Sequence, residues 1–173
     1  MIIREADTED YDILIEFYTK MNEIINVRTN KYNPDNPIFP SPQMISDAIK
    51  NRQLFVGIED GVIAIACIVN NKCDYDYHKI MWQIDAKDDE FWVLHALRVL
   101  PEYEGRGFAK SMLMYIIDFA PIRKIKSIRL DVLDGYEVEK LYLTVGFEYV
   151  DTTQILYEDI GHPMKFKLLE RVI

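Results

Sequence analysis

Cysteine is scarce in this sequence, and its two copies, Cys67 and Cys73, do not form a Cys-X-X-Cys pair. A zinc site or a redox pair built on that motif is therefore not indicated, and we expect no metal. Cys67 stands in the apolar run Val62–Val69. A thiol in such a run behaves as a small buried hydrophobic group.

Long apolar runs are also missing. No stretch approaches the ~20 residues that a membrane-spanning helix needs. The first residues, Met1 to Asp7, lack the pattern of a secretory signal. We therefore expect a cytoplasmic protein without a membrane partner.

Positive charge is in the minority, because 20 Lys and Arg stand against 29 Asp and Glu, for a net charge of −9. Such a surface repels a phosphate backbone, so nucleic acid is not an expected partner. It can attract a cationic substrate such as an amine, although acidity also serves solubility alone. Apolar residues make up 49% of the 173 residues, which is typical of one folded domain, here predicted over 1–173.

Hydrophobic periodicity predicts the element order β-α-α-β-β-β-α-β-α-β-β, typical of an α/β or α+β sheet domain with helices on its faces. Asp7 or Thr8 is the expected cap of the first helix, and Ser41 that of the second. Asp60-Gly61 predicts a two-residue hairpin turn. Residues 70–90 show no clear period and predict either two short edge strands or a structured loop. The predicted strands lie at 2–4, 54–59, 62–69, 91–99, 127–132, 147–152 and 164–169, and the helices at about 8–26, 42–50, 107–119 and 136–145.

A turn with two glycines joins the strand at 91–99 to the next helix. Its sequence is Glu104-Gly105-Arg106-Gly107-Phe108-Ala109-Lys110. Glycine permits a positive φ and a close approach of the backbone to a ligand. The first N–H groups of a helix have no internal partner, and with the positive end of the helix dipole they suit an anion such as a pyrophosphate. Taken alone, the pattern also fits an ordinary tight turn, and it is neither a Walker A loop nor a dinucleotide fingerprint.

This segment resembles the cofactor-binding motif of the GNAT superfamily of acetyl-CoA-dependent N-acetyltransferases. The family motif has Gln or Arg, two residues, Gly, one residue, and then Gly or Ala. Gly107 and Ala109 match it, whereas Glu104 departs from it. The family's lead-in with a valine and a proline is present as Val99-Leu100-Pro101-Glu102-Tyr103.

A second stretch is similar to the other family signature, a helix that ends in tyrosine, three residues and Gly-Phe. That stretch is Val138–Phe147, with Tyr142 at the tyrosine position. Gly135 and Val138 stand where family members usually have asparagine and alanine. The opening strand around Ile3-Arg4-Glu5-Ala6 is also similar, so the resemblance covers almost the whole chain.

The resemblance implies a mixed, mostly antiparallel sheet of six to seven strands with about four helices, and acetyl-CoA as the co-substrate. The pantetheine arm would enter a gap where the strand at 91–99 splays from the strand at 127–132. At Glu104 the backbone N–H would meet phosphate, while the carboxylate should weaken binding unless it pairs with Arg106 or Lys110. The implied cofactor-binding residues are Leu97, Arg98, Val99, Glu104, Gly105, Arg106, Gly107, Phe108, Ala109 and Lys110.

Two residues are candidates for catalysis. Tyr142 aligns with the tyrosine that family members often use as general acid toward the CoA sulfur; the alternative is a core tyrosine with a hydrogen-bonded hydroxyl. His95 lies, by strand alternation, on the same face as Leu97 and Val99, where it could serve as a base or orient a water. The alternative is a histidine satisfied inside the sheet.

The acceptor site is expected in segments that combine aromatic rings with carboxylates, at 26–40, Tyr75–Tyr77 and Tyr157–Asp159. The expected reaction moves an acetyl group directly to a primary amine of a small molecule or a peptide. A CoA-binding sensor or scaffold and an acyltransferase for longer acyl groups stay open as alternatives. The acceptor is not fixed by the sequence, and either a monomer or a homodimer is compatible with it.

Overall fold

A computed structural model describes residues 1–29, 38–157 and 160–173. The strands are β1 (Ile2–Glu5), β2 (Leu54–Glu59), β3 (Val62–Asn70), β4 (Phe91–Val99), β5 (Ser127–Leu133), β6 (Glu148–Ile155) and β7 (Met164–Val172). The α-helices are α1 (Tyr11–Thr29), α2 (Pro42–Lys50), α3 (Phe108–Phe119) and α4 (Glu139–Thr144). This order of strands and helices is the predicted one.

The strands form one seven-stranded sheet in the order β1-β2-β3-β4-β5-β7-β6. The pairs β1–β2, β2–β3, β5–β7 and β6–β7 are antiparallel, whereas β4 and β5 run parallel. A mixed, mostly antiparallel sheet with four α-helices among the described residues confirms the predicted fold class.

The chain divides into two compact units, each of which is discontinuous in sequence. The first comprises Met1–Ile68, Ala96–Met112 and Tyr157–Gly161, and the second comprises Val69–His95, Leu113–Leu156 and His162–Ile173. The single domain expected over 1–173 stays a prediction.

In the first unit, α1 presents the buried stripe Leu14, Phe17, Tyr18 and Met21 to the core. The helical spacing of the apolar residues predicts that Ile13 lies in one stripe with Leu14, Phe17 and Met21, but Ile13 is 53% exposed. It lies one residue, and so 100° of helix, away from Leu14. The predicted inner position of Ile13 is therefore wrong, and Tyr18 is the buried residue that the periodicity missed.

The ends of the first elements follow the expected capping chemistry. The Asp7 carboxylate accepts the Glu9 N–H at 2.9 Å and so caps a 3-10 helix over Thr8–Asp10, which leads directly into α1. The Ser41 hydroxyl accepts the Met44 N–H at 3.2 Å at the start of α2. At the β2–β3 hairpin, Asp60 and Gly61 have φ of 51° and 77°, as a type I′ turn requires. These predictions are confirmed.

In β3, Cys67 is wholly buried, and this burial raises the pKa of its thiol. A thiol with a raised pKa carries little thiolate and is a poor nucleophile. Cys67 therefore acts as the small hydrophobic group that the sequence predicts.

The second unit departs from prediction at α4, which begins at Glu139 rather than near 136. A helix over 136–145 would bury Val138, as its apolar spacing predicts, but Val138 is 46% exposed. Gly135, with φ of 87°, and the turn that follows it delay the start of the helix. Gly146, with φ of 85°, ends the helix as expected.

The segment between β3 and β4 is a structured loop, one of its two predicted alternatives. It contains a 3-10 helix over Tyr75–Lys79, and the Asp74 carboxylate caps this helix by accepting the Asp76 N–H at 2.9 Å. Tyr77 is buried, and its carbonyl accepts the indole N–H of Trp82 at 2.9 Å.

Candidate functional site

The turn between β4 and α3 is an open surface loop. The Glu104 N–H closes a 3-10 turn by donating to the Pro101 carbonyl at 3.2 Å. Gly105 and Gly107 then adopt φ of 71° and 81°. Apart from the glycine itself and its chain neighbours, no described atom lies within 4 Å of the place where a Cβ would stand on either residue. Backbone conformation rather than lack of space therefore favours glycine at both positions.

The helix that follows leaves its first donors available. The first backbone hydrogen bond that leads from the two-glycine turn into α3 joins the Ser111 N–H to the Gly107 carbonyl at 3.0 Å. N–H groups that precede this point in the turn have no helical acceptor, and they form the positive end of the helix dipole. The segment Gly105–Lys110 therefore fits a pyrophosphate, as the sequence predicts.

Arg106 brings positive charge to this loop and is held in place by neighbours. Its guanidinium carbon lies 5.0 Å from the ring centroids of both Tyr103 and Phe108. Its Nη2 lies 3.4 Å from Oε1 of Glu59, which also pairs with the N-terminal ammonium group. Glu59, which lies outside the loop, is thus an ion-pair partner of Arg106.

Glu104 itself is exposed in the loop. Replacing it with glutamine, the family residue, removes a negative charge beside the expected pyrophosphate site. We expect Glu104→Gln to tighten acetyl-CoA binding by about twofold to threefold, from Coulomb repulsion over several ångströms of water-like medium. Calorimetric titration at low and high salt measures this gain, which should shrink as salt rises.

A matched control is Glu102→Gln, because Glu102 is an exposed carboxylate of the same loop that pairs with Lys20 at 3.0 Å. Equal effects of the two substitutions, or weaker binding by Glu104→Gln, would contradict the repulsion.

The last third of β4 begins with an irregularity. Ala96 has φ of 50°, which is uncommon for a residue with a side chain. Its carbonyl accepts a hydrogen bond at 3.2 Å from the hydroxyl of the buried Tyr18. Leu97, Arg98 and Val99 follow, each half-buried. The expectation that His95 lies on the same face as Leu97 and Val99 stays a prediction, because it assumes a regular strand and Ala96 is left-handed.

The parallel pairing of β4 with β5 runs from Phe91 opposite Ser127 to Val93 opposite Arg129. These are the first three residues of each strand. The splay expected farther along the two strands stays a prediction.

His95 lies just before this irregularity and contacts Asn70. Its Nε2 is 3.1 Å from Asn70 Oδ1, which also accepts the Lys72 N–H at 2.9 Å. An atom that accepts from a backbone N–H is an oxygen, so Nε2 carries the proton of the neutral ring. A proton taken from a substrate must therefore go to Nδ1.

Burial lowers the pKa of His95 to about 4, against a smaller opposite effect of a backbone hydrogen bond with Lys72. An unfolded chain protonates this ring near pH 6.5. The folded state therefore loses stability as pH falls from about 6.5 to about 4, since the unfolded state binds the extra proton. We expect His95→Asn to remove this part of the pH dependence. Urea unfolding of both proteins at pH 7, 6, 5 and 4 measures it, and parallel stability curves would contradict the prediction.

Tyr142 is on α4 and is buried, with 8% of its surface exposed. Its ring packs edge-on against Phe147, with centroids 5.8 Å apart and an interplanar angle of 71°. The Tyr142 carbonyl accepts the Phe147 N–H at 3.1 Å, which fixes the end of the helix. Both sequence alternatives, core packing and proton donation by the hydroxyl, are compatible with this position.

The segments expected to hold the acceptor are only partly described. Residues 30–37 and Glu158 and Asp159 lie outside the described residues. Tyr75 is exposed, and the Lys79 ammonium of the same chain stands 4.7 Å from its ring centroid. Tyr77 instead turns inward, and its hydroxyl donates to Asp131 Oδ2 at 2.6 Å. Tyr75 and Tyr77 therefore do not form one cage for a cation.

Sequence reasoning missed three residues beside the predicted ones. Asn70 left a signal, since it is the polar residue at the end of an apolar run. Ala96 left none, because alanine does not mark a left-handed position. Tyr18 is 78 residues from Ala96 along the chain, and no local pattern links the two.

Over residues 1–29, 38–157 and 160–173, no cluster of three or more His, Cys, Asp or Glu side chains has the arrangement of a metal site. Within the same part of the chain, no helix combines the length and apolar character that crossing a bilayer requires.

Known proteins resemble this chain in sequence family and in fold. The family model described as Acetyltransferase (GNAT) family matches residues 12–147. This match includes the two-glycine turn and the segment that carries Tyr142. No curated protein sequence matches the chain.

Solved structures share the fold at low sequence identity. A GNAT-family acetyltransferase from Streptococcus agalactiae 2603 superposes with a TM-score of 0.77 at 20% identity, covering 99% of this chain and 95% of that one. A ribosomal-protein-alanine N-acetyltransferase from Brucella melitensis gives 0.72 at 16% identity, with full coverage of both chains. Ard1 from Thermoplasma volcanium gives 0.68 at 14% identity, covering 99% and 97%. Similarity at this level of identity establishes the fold alone.

Proposed function

Since the chain belongs to the acetyltransferase (GNAT) family, we propose that it is an N-acetyltransferase that moves an acetyl group from acetyl-CoA directly to a primary amine. The acceptor is a small molecule or a peptide. The observation that carries this proposal is the open turn before α3, with left-handed Gly105 and Gly107.

The residues present fit acetyl-CoA. Backbone N–H groups of Gly105–Lys110 would hold the pyrophosphate, with added charge from Arg106 and Lys110. The backbone of Leu97, Arg98 and Val99 would bind the pantetheine arm, in line with the family resemblance. When bound, acetyl-CoA supplies the acetyl group as a thioester.

The chain's own side chains have two proton-handling tasks. The acceptor must lose a proton from its nitrogen, because only a neutral amine forms the new N–C bond. His95 Nδ1, or a water that His95 orients, takes this proton. The sulfur that leaves as the C–S bond breaks needs a proton in return, and the Tyr142 hydroxyl supplies it.

A second function, a CoA-binding sensor or scaffold with weak catalysis, is favoured by two departures from the family pattern, Glu104 and the asparagine that is replaced by Gly135. The exposed Glu104 carboxylate stands where the family has Gln or Arg. A further alternative is the transfer of longer acyl groups, which a series of acyl-CoA chain lengths tests.

Thermal unfolding with acetyl-CoA, CoA or NADH tests the proposal. A ligand that binds only the folded state at about 100 times its Kd should raise the Tm by about 5–10 °C for a chain of this size. Acetyl-CoA and CoA should give this rise, and NADH should not. Thiol release against a panel of amines then tests transfer.

The matched variants are Gly107→Ala and Gly61→Ala. The two glycines have φ of 81° and 77° respectively, and no described atom lies within 4 Å of the place where a Cβ would stand on either. Only Gly107→Ala should reduce the acetyl-CoA shift. No shift in the parent protein would reject the cofactor site, whereas a shift without transfer to any amine would favour the sensor.

A further inference from the structure

A cavity of about 340 Å³ lies in the second unit, lined by the segment that precedes β4 and by Arg129 of β5. The aromatic residues Tyr77, Trp82 and Phe91 form part of its wall. Asp85 and Asp88 also line it and are exposed to solvent. A concave site with aromatic walls and a few polar groups is the usual form of a small-molecule pocket.

Arg129 is the buried cation of this cavity, with 6% of its side chain exposed. Its guanidinium lies between two rings, with its central carbon 4.5 Å from Trp82 and 4.4 Å from Phe91. Its Nε donates to Glu170 Oε1 at 2.9 Å, and its Nη2 donates to the Ile84 carbonyl at 3.1 Å. Four contacts therefore fix the plane and the direction of the guanidinium.

Glu170 is wholly buried, and its carboxylate does not depend on Arg129 alone. Oε1 also accepts the Ser127 hydroxyl at 2.5 Å, and Oε2 accepts the Gln83 N–H at 2.5 Å. Two neutral donors thus share the carboxylate with the guanidinium. Glu170 therefore does not occupy every N–H group of Arg129, and a remaining N–H group can donate to another oxygen.

The nitrogen that remains is Nη1 of Arg129, which has no hydrogen-bond partner among the described residues. Because a guanidinium cannot lose its proton, this donor stays charged and can donate to an acceptor in the cavity. A carboxylate is the acceptor that matches a fixed guanidinium nitrogen best. The cavity is therefore suited to a ligand with a carboxylate.

We propose that this cavity binds the acceptor and that Arg129 Nη1 holds a carboxylate of that acceptor. The substrate class is then an amine that also carries a carboxylate, such as an amino acid or a short peptide. This inference rests on the proposed function, because a bound amine is an acceptor only if the protein transfers an acetyl group to it.

The position of the cavity on β4 agrees with this assignment. Phe91, Val93 and His95 alternate along one face of the strand, and Val93 pairs with Arg129. His95 lies four residue steps after Phe91, or about 13 Å along an extended strand. An acceptor that reaches from Arg129 to His95 therefore has several bonds between its carboxylate and its amine. Asp85 and Asp88 disfavour a dianion at the cavity and favour a zwitterion.

The two tryptophans of the chain provide a direct test that needs no activity. Trp82 lines the cavity, whereas Trp92 stacks near Phe119, with centroids 6.5 Å apart. Their indole N–H signals in a ¹⁵N NMR spectrum are assigned with Trp82→Phe and Trp92→Phe. The full chain is titrated with 6-aminohexanoate, hexanoate and hexylamine, with and without CoA.

We expect the Trp82 signal to move with both carboxylates and to stay in place with hexylamine, while the Trp92 signal stays in place throughout. Movement with hexylamine alone would mean a cation pocket and would overturn the proposal. Equal movement of the two signals, or none at Trp82, would overturn it as well.

Two variants separate the pocket from the fold. Arg129→Lys keeps the charge beside Glu170 but removes Nη1, and it should weaken 6-aminohexanoate binding roughly tenfold or more. Ala86→Phe fills the cavity without touching the buried ion pair and should abolish the Trp82 shift, even if the lysine variant does not fold. Binding that survives Ala86→Phe would reject the site.

Failure of the proposed function would look different. If acetyl-CoA gives no thermal shift but hexanoate moves Trp82, the carboxylate site stands and the acetyltransferase proposal falls. If amines are acetylated equally well with and without a carboxylate, and by the Ala86→Phe variant as by the parent, the acetyltransferase proposal stands and this inference falls.

Discussion

Replacing Glu170 with leucine should lower the free energy of unfolding by about 3–5 kcal/mol, the range found when one partner of a buried ion pair is removed. For a chain of this size, the Tm should fall by roughly 10 °C. The cause is Arg129, which is buried and would lose the Glu170 carboxylate that its Nε contacts at 2.9 Å. Urea and thermal unfolding measure both quantities.

The control lies directly across the ladder. Glu148 pairs with Glu170 in the β6–β7 register and is exposed. Glu148→Leu should change stability by no more than about 0.5 kcal/mol, as surface substitutions usually do. The double variant Arg129→Met with Glu170→Leu should regain much of the loss, because it leaves no uncompensated charge. A double variant as unstable as Glu170→Leu would contradict the electrostatic explanation.

Tyr142→Phe should lower kcat by about 100-fold, at the lower end of general acid catalysis, while the KM for acetyl-CoA changes little. Phenylalanine keeps the ring that packs edge-on against Phe147 at 5.8 Å and removes only the hydroxyl. The fold should therefore persist, which the Tm of the variant checks. Steady-state kinetics with a thiol-detecting dye give both constants.

Tyr136→Phe is the matched control, because Tyr136 precedes the same helix and is exposed. Its kinetics should equal those of the parent. If Tyr142→Phe also turns over at the parent rate, Tyr142 is a core residue and the proton for the sulfur comes from elsewhere.

Local chemistry explains what the sequence could predict. The caps at Asp7 and Ser41, the hairpin at Asp60-Gly61 and the two-glycine turn each depend on neighbours within a few residues. Such signals act before any tertiary contact forms. The element order and the fold class were therefore predictable, and the family match agrees with the fold class.

Long-range contacts explain what it could not predict. Arg129 and Glu170 are 41 residues apart, and a charged residue within an apolar strand does not reveal its partner. The exposure of Val138 depends on where α4 begins, and helix ends are the least certain part of a sequence prediction. The contact of His95 with Asn70 joins two strands and follows from the fold rather than from spacing.

The hydrogen bond from Tyr18 to Ala96 makes one residue of α1 a determinant of the strand that leads to the two-glycine turn. The hydroxyl is fully enclosed, and burial raises its pKa well above the usual value, so the proton that it donates stays in place across the physiological range. The hydroxyl proton of Tyr18 therefore stabilises the left-handed φ of Ala96 through this hydrogen bond. A substitution at Tyr18 would therefore change the backbone of β4, although Tyr18 lies 78 residues away along the chain and on a helix.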